Sequence, residues 1–228
     1  MITDAFAAFA ETFSPPLRRV LFKVVGLALL LLVVLGTILH GLLTRLFSLP
    51  APFETALAIV AGLGIFASAI FLVPPITSLV AAFFVDDIAE HVERTNFPAD
   101  PPGRPLPLAQ SIVISAKFFG IVLAVNFLAL LLLLVPGINI AVFFFANAYL
   151  LSREYFELAA MRHRPVEEAR ALRRRHAVQI FIAGFMIAGL VAVPVVNLIT
   201  PVFATAFMTR LHKRLSPTRE LLPPERAA

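Results

Sequence analysis

Cysteine is absent from this 228-residue chain, which excludes disulfides, thiolate metal sites and thiol redox chemistry. Charge is scarce as well: Asp, Glu, Lys and Arg make up 14% of the residues, 60% are hydrophobic, and the mean hydropathy is +0.92. So little polar sequence does not furnish the wetted helix faces that a soluble domain of this size needs. The alternating apolar–polar pattern of a membrane β-barrel is missing. No P-loop, Gly-rich dinucleotide fingerprint or nucleophile–base pairing occurs, so the expectation is no enzyme, with no catalytic residue and no cofactor. Before Arg18 the N-terminus holds Asp4 and Glu11 but no basic residue, and no signal-peptide cleavage pattern follows.

What the chain has instead is a series of apolar stretches near spanning length, the signature of helices dissolved in lipid. The expected fold class is all-α, a helical integral membrane protein forming a single membrane domain over 1–228. Phe6, Phe9, Ala10 and Phe13 recur on one helical stripe, which suits a short interfacial helix within 1–16. Pro15 and Pro16 stop it. Residues 17–43 then include an apolar run of about 20 residues, enough to cross a hydrocarbon core of about 30 Å. A second spanning helix is expected over 56–93, kinked at Pro74 and Pro75. Its end carries Asp86, Asp87, Glu90 and Glu93, read as a solvated helix face. Residues 96–107 are proline-rich and read as an extended loop.

Two further units, 112–151 and 177–208, each combine an apolar stretch, a proline break and a second apolar stretch. Between them lies a basic cytoplasmic segment, 152–176, and residues 216–228 read as a flexible tail. The units repeat one another. Val135-Pro136-Gly137-Ile138-Asn139 corresponds to Val193-Pro194-Val195-Val196-Asn197, and at the same offset Phe145-Ala146 meets Phe203-Ala204. Such repeats build broken helices and re-entrant segments in transporters. Arg18, Arg19 and Lys23 place the N-terminus in the cytoplasm, and Arg210, Lys213 and Arg214 place the C-terminus there too. The seven arginines within 153–175 belong on the same side. Each proline–asparagine unit must then start and finish on one side, either as a hairpin dipping part-way or as two full crossings, which would give six spans. The short second halves favour the part-way hairpins.

The net charge of +5 comes from basic residues at the ends of apolar segments, so membrane lipids are the expected partners and nucleic acid is not. Residues 15–19, Pro-Pro-Leu-Arg-Arg, open a helix. Free N–H groups, the helix dipole and two guanidinium forks make that corner a candidate tetrahedral-anion site. The same arginines also serve as topology signals that touch lipid phosphates, and the residues alone leave that simpler role open. Asn139 and Asn197 follow the helix breaks inside apolar sequence, where an amide either caps the next helix or lines a pore. Asn126 and Asn147 suit helix–helix hydrogen bonds. The acidic group at 86–93 lacks a metal-ligand pattern with histidine, and His163 and His176 lie among arginines, so no metal is expected.

Several segments together resemble the CysZ sulfate permeases of bacteria and the broader etoposide-induced-protein-like domain that includes them. They are Pro15-Pro16-Leu17-Arg18-Arg19, the stretch from Pro74 through Asp87 to Glu93, Tyr149-Leu150-Leu151-Ser152-Arg153-Glu154-Tyr155-Phe156-Glu157 with Met161-Arg162, and Val193-Pro194-Val195-Val196-Asn197-Leu198. The resemblance spans roughly residues 6–215, and the Arg-Glu-Tyr-Phe-Glu stretch is its most specific part. It implies an inner-membrane sulfate permease that supplies sulfur for cysteine synthesis without a nucleotide-hydrolysing subunit. It also implies two long transmembrane helices and two Pro-broken hemi-penetrating helical hairpins, in a homo-oligomer. In the family a Gly-Leu-Arg-Arg turn binds sulfate; carried over, the site residues are Leu17, Arg18 and Arg19. Pro16 stands where that glycine is expected and removes one N–H donor. The alternative within the wider family is a non-transporting membrane protein that organises partners or lipids through the basic stretch 162–175.

Overall fold

The computed structural model describes residues 1–46, 76–77, 80–105 and 138–216, with isolated positions between these stretches. Every regular element among the described residues is helical. Helix α1 (Ile2–Thr12) buries the small side chains Ala5, Ala8 and Thr12 on one face and exposes Ile2, Phe6 and Phe9 on the other. A tight corner at Phe13 and Ser14 follows, held by their N–H groups on the Ala10 and Glu11 carbonyls at 3.2 and 2.9 Å. Pro15 and Pro16 then open α2 (Pro15–Leu46), where missing N–H groups cost no intrahelical bond.

Helix α2 has 32 residues, about 48 Å at 1.5 Å per residue, and its stretch Pro15–Leu39 is long and apolar enough to cross a membrane. Leu17, Leu21, Val24 and Ala28 form its buried stripe; beyond Ala28, Leu29, Leu30, Leu31, Val33, Val34 and Leu35 are exposed apolar surface. Most of the second expected span, and residues 112–137 apart from isolated positions, lie outside the described residues, as do Asn126 and Pro136. What is described of that span is its end, a 3-10 turn (Ala82–Phe84) leading into α3 (Val85–Asn96).

Helix α4 (Ile138–Met161) continues ten residues past the expected end of its unit at 151, and α5 (Val166–Arg175) follows, so the basic segment is mostly helix. At His176 the chain turns by 91° into the apolar helix α6 (Ala177–Val191). A break follows at Ala192 and Val193, then one helical turn (Pro194–Asn197), then α7 (Thr200–Leu215) with Pro201 in its first turn. The cap expected of Asn197 is not formed. It ends the one-turn helix, and Ile199 occupies the cap position of α7 with no side-chain cap hydrogen bond. Asn139 lies inside the first turn of α4 rather than before it.

Helix α7 is the centre of the fold and packs on α1, α2, α3, α4 and α6. Nearly all its side chains are buried, and Thr205 and Thr209 return their hydroxyls to the Pro201 and Thr205 carbonyls at 2.8 Å, which lets polar residues sit in an apolar core. The closest pairing is α4 on α6. Gly184 lies so near α4 that a Cβ there would stand 2.2 Å from the Ala148 carbonyl oxygen and 2.4 Å from the Ser152 Cβ. Small residues at an interface let two backbones approach in this way. Next to this contact, Phe145 of α4 stacks on Phe181 of α6 and meets Phe185, with centroids 6.2 and 5.8 Å apart.

Candidate functional site

The helix-opening corner places its three candidate residues consecutively on α2. Leu17 is buried and anchors the turn, while Arg18 and Arg19 are exposed and have no ion-pair partner among the described residues. The Arg18 N–H donates to the Ser14 carbonyl at 2.8 Å, and the two prolines have no N–H to offer. Leu17 is therefore the one residue of that first turn with a backbone donor left. Ser14 adds a hydroxyl that is buried with no hydrogen-bond partner among the described residues. The sequence did not single it out, although a serine before a helix is a capping signal. Exposed positive charge, one N–H and the helix dipole lie together at this corner, and that chemistry suits an oxyanion, whereas the Ser14 hydroxyl is buried. Asn139 and Asn197 lie on other elements, so the proline breaks and the arginine pair are separate features of the chain.

A second polar centre joins segments that are distant in sequence. Glu93 of α3 is buried, and Arg162, just after α4, grips it with both arms: Nε to Oε1 at 3.1 Å and Nη2 to Oε2 at 3.2 Å. The third nitrogen, Nη1, donates to Asp86 two turns earlier on α3. His163 Nε2 donates to Glu93 Oε1 at 3.0 Å and the Gly103 N–H to Oε2 at 3.1 Å, while the Arg104 N–H closes onto the Arg162 carbonyl at 2.8 Å. Burial alone would raise the Glu93 carboxyl pKa, but hydrogen bonds from His163 and Arg162, with their charges, outweigh it and hold it down at about 2. The acidic group is thus not one solvated face. Asp87 is exposed, but Glu93 falls on the buried stripe of Val85, Ala89 and Val92, where a charge persists only when paired.

Helix α7 closes this centre. His212 is fully buried, stacked on His163 with centroids 5.4 Å apart and edge-on to Phe156 at 6.0 Å. Both its ring nitrogens lack a hydrogen-bond partner among the described residues. Burial first, then the positive charges of His163, Arg164 and Lys213, push its pKa well below the ordinary value, with Glu93 opposing. Lys213 Nζ lies 3.4 Å from Asp100. A third tie links the ends of the fold: Arg210 Nη2 donates to Glu11 at 2.6 Å and to Asn96 at 2.7 Å, and Asn96 Nδ2 donates to Glu11 at 2.9 Å. The carboxylates in these centres are taken up by protein donors. They are locks, whereas the corner at Arg18 and Arg19 is open.

The locks make stability depend on pH. An unfolded His212 takes a proton below about 6.5 that the folded one refuses, so stability should fall as pH drops through that value. Glu93 adds a second decline between 4.5 and about 2, worth roughly 3 kcal/mol, because its folded pKa is depressed and protonation favours the unfolded chain. Denaturant midpoints measured in detergent from pH 8 to pH 3 should show both stages, and His212→Phe should remove only the first. A midpoint unchanged between pH 8 and pH 5 would contradict the buried neutral imidazole.

The described elements define an all-helical protein with one helix of membrane-crossing length and an exposed cationic corner at its start. A family model described as sulfate transporter CysZ/etoposide-induced protein 2.4 matches residues 4–201, and the chain belongs to this family. The match takes in the corner, Glu93, Arg162, the first proline–asparagine unit and the Pro194–Asn197 break of the second, and stops at the start of α7. No curated protein matches the chain.

Proposed function

We propose that this protein is a sulfate permease of the bacterial inner membrane, taking up sulfate for sulfur assimilation and cysteine synthesis. Family membership over residues 4–201, with an open Pro-Pro-Leu-Arg-Arg corner inside that range, is the observation that carries the reading. In this reading α2 and the helix ending in α3 cross the membrane, and both termini are cytoplasmic. The units ending in α4 and α7 are part-way hairpins. Helix α6 supports this, since its 15 residues rise about 22 Å, short of a core of about 30 Å. The exposed apolar face of α2 beyond Ala28 is the surface offered to lipid or to a second copy in a homo-oligomer.

Sulfate is doubly charged, so its site must offset desolvation with several charge-assisted hydrogen bonds. Arg18→Ala with Arg19→Ala should weaken sulfate binding at least tenfold, about 1.4 kcal/mol, by calorimetry in detergent against chloride at equal ionic strength. Lysine at both positions should rescue it only in part, because an ammonium does not fork onto two oxygens. Pro16→Gly should strengthen binding by restoring an N–H. Parental affinity in a normally inserted double-alanine variant would make the arginines topology signals only. Labelled-sulfate uptake into proteoliposomes holding only this protein tests the permease itself.

A second reading, a membrane protein that organises lipids or partners without transport, is favoured by the arginines around Glu157. Absence of sulfate uptake together with retained lipid selectivity would support it.

A further inference from the structure

Three guanidinium groups converge on the carboxylate of Glu157 in α4. Arg173 Nε of α5 donates to it at 2.8 Å, while Arg153 Nε and Arg170 Nε stand at 3.6 and 3.7 Å, too far for hydrogen bonds. Glu157 itself is nearly buried, whereas Arg153 and Arg170 are 43% and 49% exposed at their side chains and approach it only through Nε, which leaves their terminal nitrogens off the carboxylate. Even with Glu154 counted beside Glu157, three cations meet two carboxyl groups. The cluster therefore has both spare positive charge and spare N–H donors.

Its depth can be read from the helix that carries it. Phe145, Tyr149 and Arg153 follow one another at four-residue spacing on α4, the two rings exposed and the arginine partly so. An apolar ring, then an amphipathic ring, then a guanidinium is the order of groups met in passing from hydrocarbon through the interface to water. On α6, which packs against α4, Val178, Ile182 and Phe185 are likewise exposed. Helix α5, bearing Arg170 and Arg173, leaves α6 at 91°, so it runs along a surface that α6 enters. The arginines thus stand at headgroup level, beside an apolar face.

We propose that Arg153, Arg170 and Arg173 form a binding site for the phosphate of an anionic phospholipid, whose acyl chains lie along the face of Phe145, Tyr149 and Phe185. Two part-exposed forks beside one another reach a phosphate diester from two directions, and the spare charge favours a headgroup with net negative charge over a zwitterionic one. The site rests on the reading of this chain as a membrane protein and not on its substrate being sulfate.

The test uses the full chain, delipidated in neutral detergent, titrated with short-chain phosphatidylglycerol or phosphatidylcholine and followed by native mass spectrometry. The parent should bind phosphatidylglycerol at least tenfold more tightly than phosphatidylcholine. Arg153→Gln with Arg170→Gln, which leaves the Arg173–Glu157 bond in place, should abolish that preference while phosphatidylcholine binding stays unchanged. Arg170→Gln alone should lower it several-fold and serves if the double variant does not fold. Arg174→Gln, an exposed arginine of the same helix outside the cluster, should keep the preference. An unchanged preference in the Arg153 and Arg170 variants would overturn the site, as would an equal loss with Arg174→Gln, which would mean diffuse charge. Displacement of the lipid by millimolar inorganic phosphate would assign the cluster to a free oxyanion and overturn the lipid. A protein that fails to enter vesicles of either lipid would instead overturn the membrane reading beneath the proposal.

Discussion

Replacing Arg162 with methionine is expected to lower stability by about 3–5 kcal/mol, the cost of leaving a buried carboxylate without its partner. Arg162 holds Glu93 by two bonds and Asp86 by a third, and the Glu93 side chain is only 4% exposed. Water has little room to replace the guanidinium. Glu93→Met should cost a similar amount, since it removes two of the three bonds of Arg162, leaving it only Asp86, and loosens the Gly103 N–H. The double variant should lose much less than the sum of the two, because the buried carboxylate and the buried guanidinium go together and only the part-exposed Asp86 loses its bond to Arg162. Unfolding midpoints of the four proteins in detergent give the coupling directly. Strict additivity would show that the pair contributes nothing as a pair.

Gly184→Ala should separate α4 from α6 and cost on the order of 3 kcal/mol. A methyl there meets the Ala148 carbonyl oxygen and Ser152 at 2.2 and 2.4 Å, and the first of these is backbone that no rotamer change moves aside. Gly184→Leu should prevent assembly altogether. Gly189, on the same helix, is the control, because a Cβ there meets nothing within 4 Å. Its change to alanine should be neutral or stabilising by up to about 1 kcal/mol. Equal melting of the Gly184→Ala and Gly189→Ala proteins would mean that α4 and α6 can part without penalty.

Much of the helix plan was legible from local chemistry. Pro15 and Pro16 mark a helix start, Pro194 marks a break, and the apolar run after Lys23 marks a helix of crossing length, because each depends on the backbone within a few residues. The helical content of 152–176 was less visible, since arginine is a fair helix former but its charge masks the apolar stripe; only Ala169 and Leu172 of α5 are buried. The pairing of Glu93 with Arg162 spans 69 residues, and nothing local separates Arg162 from the other arginines around it. One signal was present: Glu93 stands four residues after Ala89 and eight after Val85, on the apolar side of its helix. The candidate anion corner was legible in its charge and its missing N–H groups. The orphan Ser14 hydroxyl was not, because it depends on how α1 folds back at the corner.

The place of α7 among the other helices has a consequence for how the chain is made. Of the described helices α1 is made first and α7 last, yet Ala5 and Ala8 share a core with Phe203 and Phe207, and Glu11 waits for Arg210 across 199 residues. Until α7 arrives, Glu93 has Arg162 and His163 but no lid of His212 and Lys213 over them. In the proposed membrane reading, α2 enters the bilayer early and would hold nascent α1 beside the lipid surface until α7 is made. The bilayer would then serve as a holding surface, shortening the search between two segments 199 residues apart.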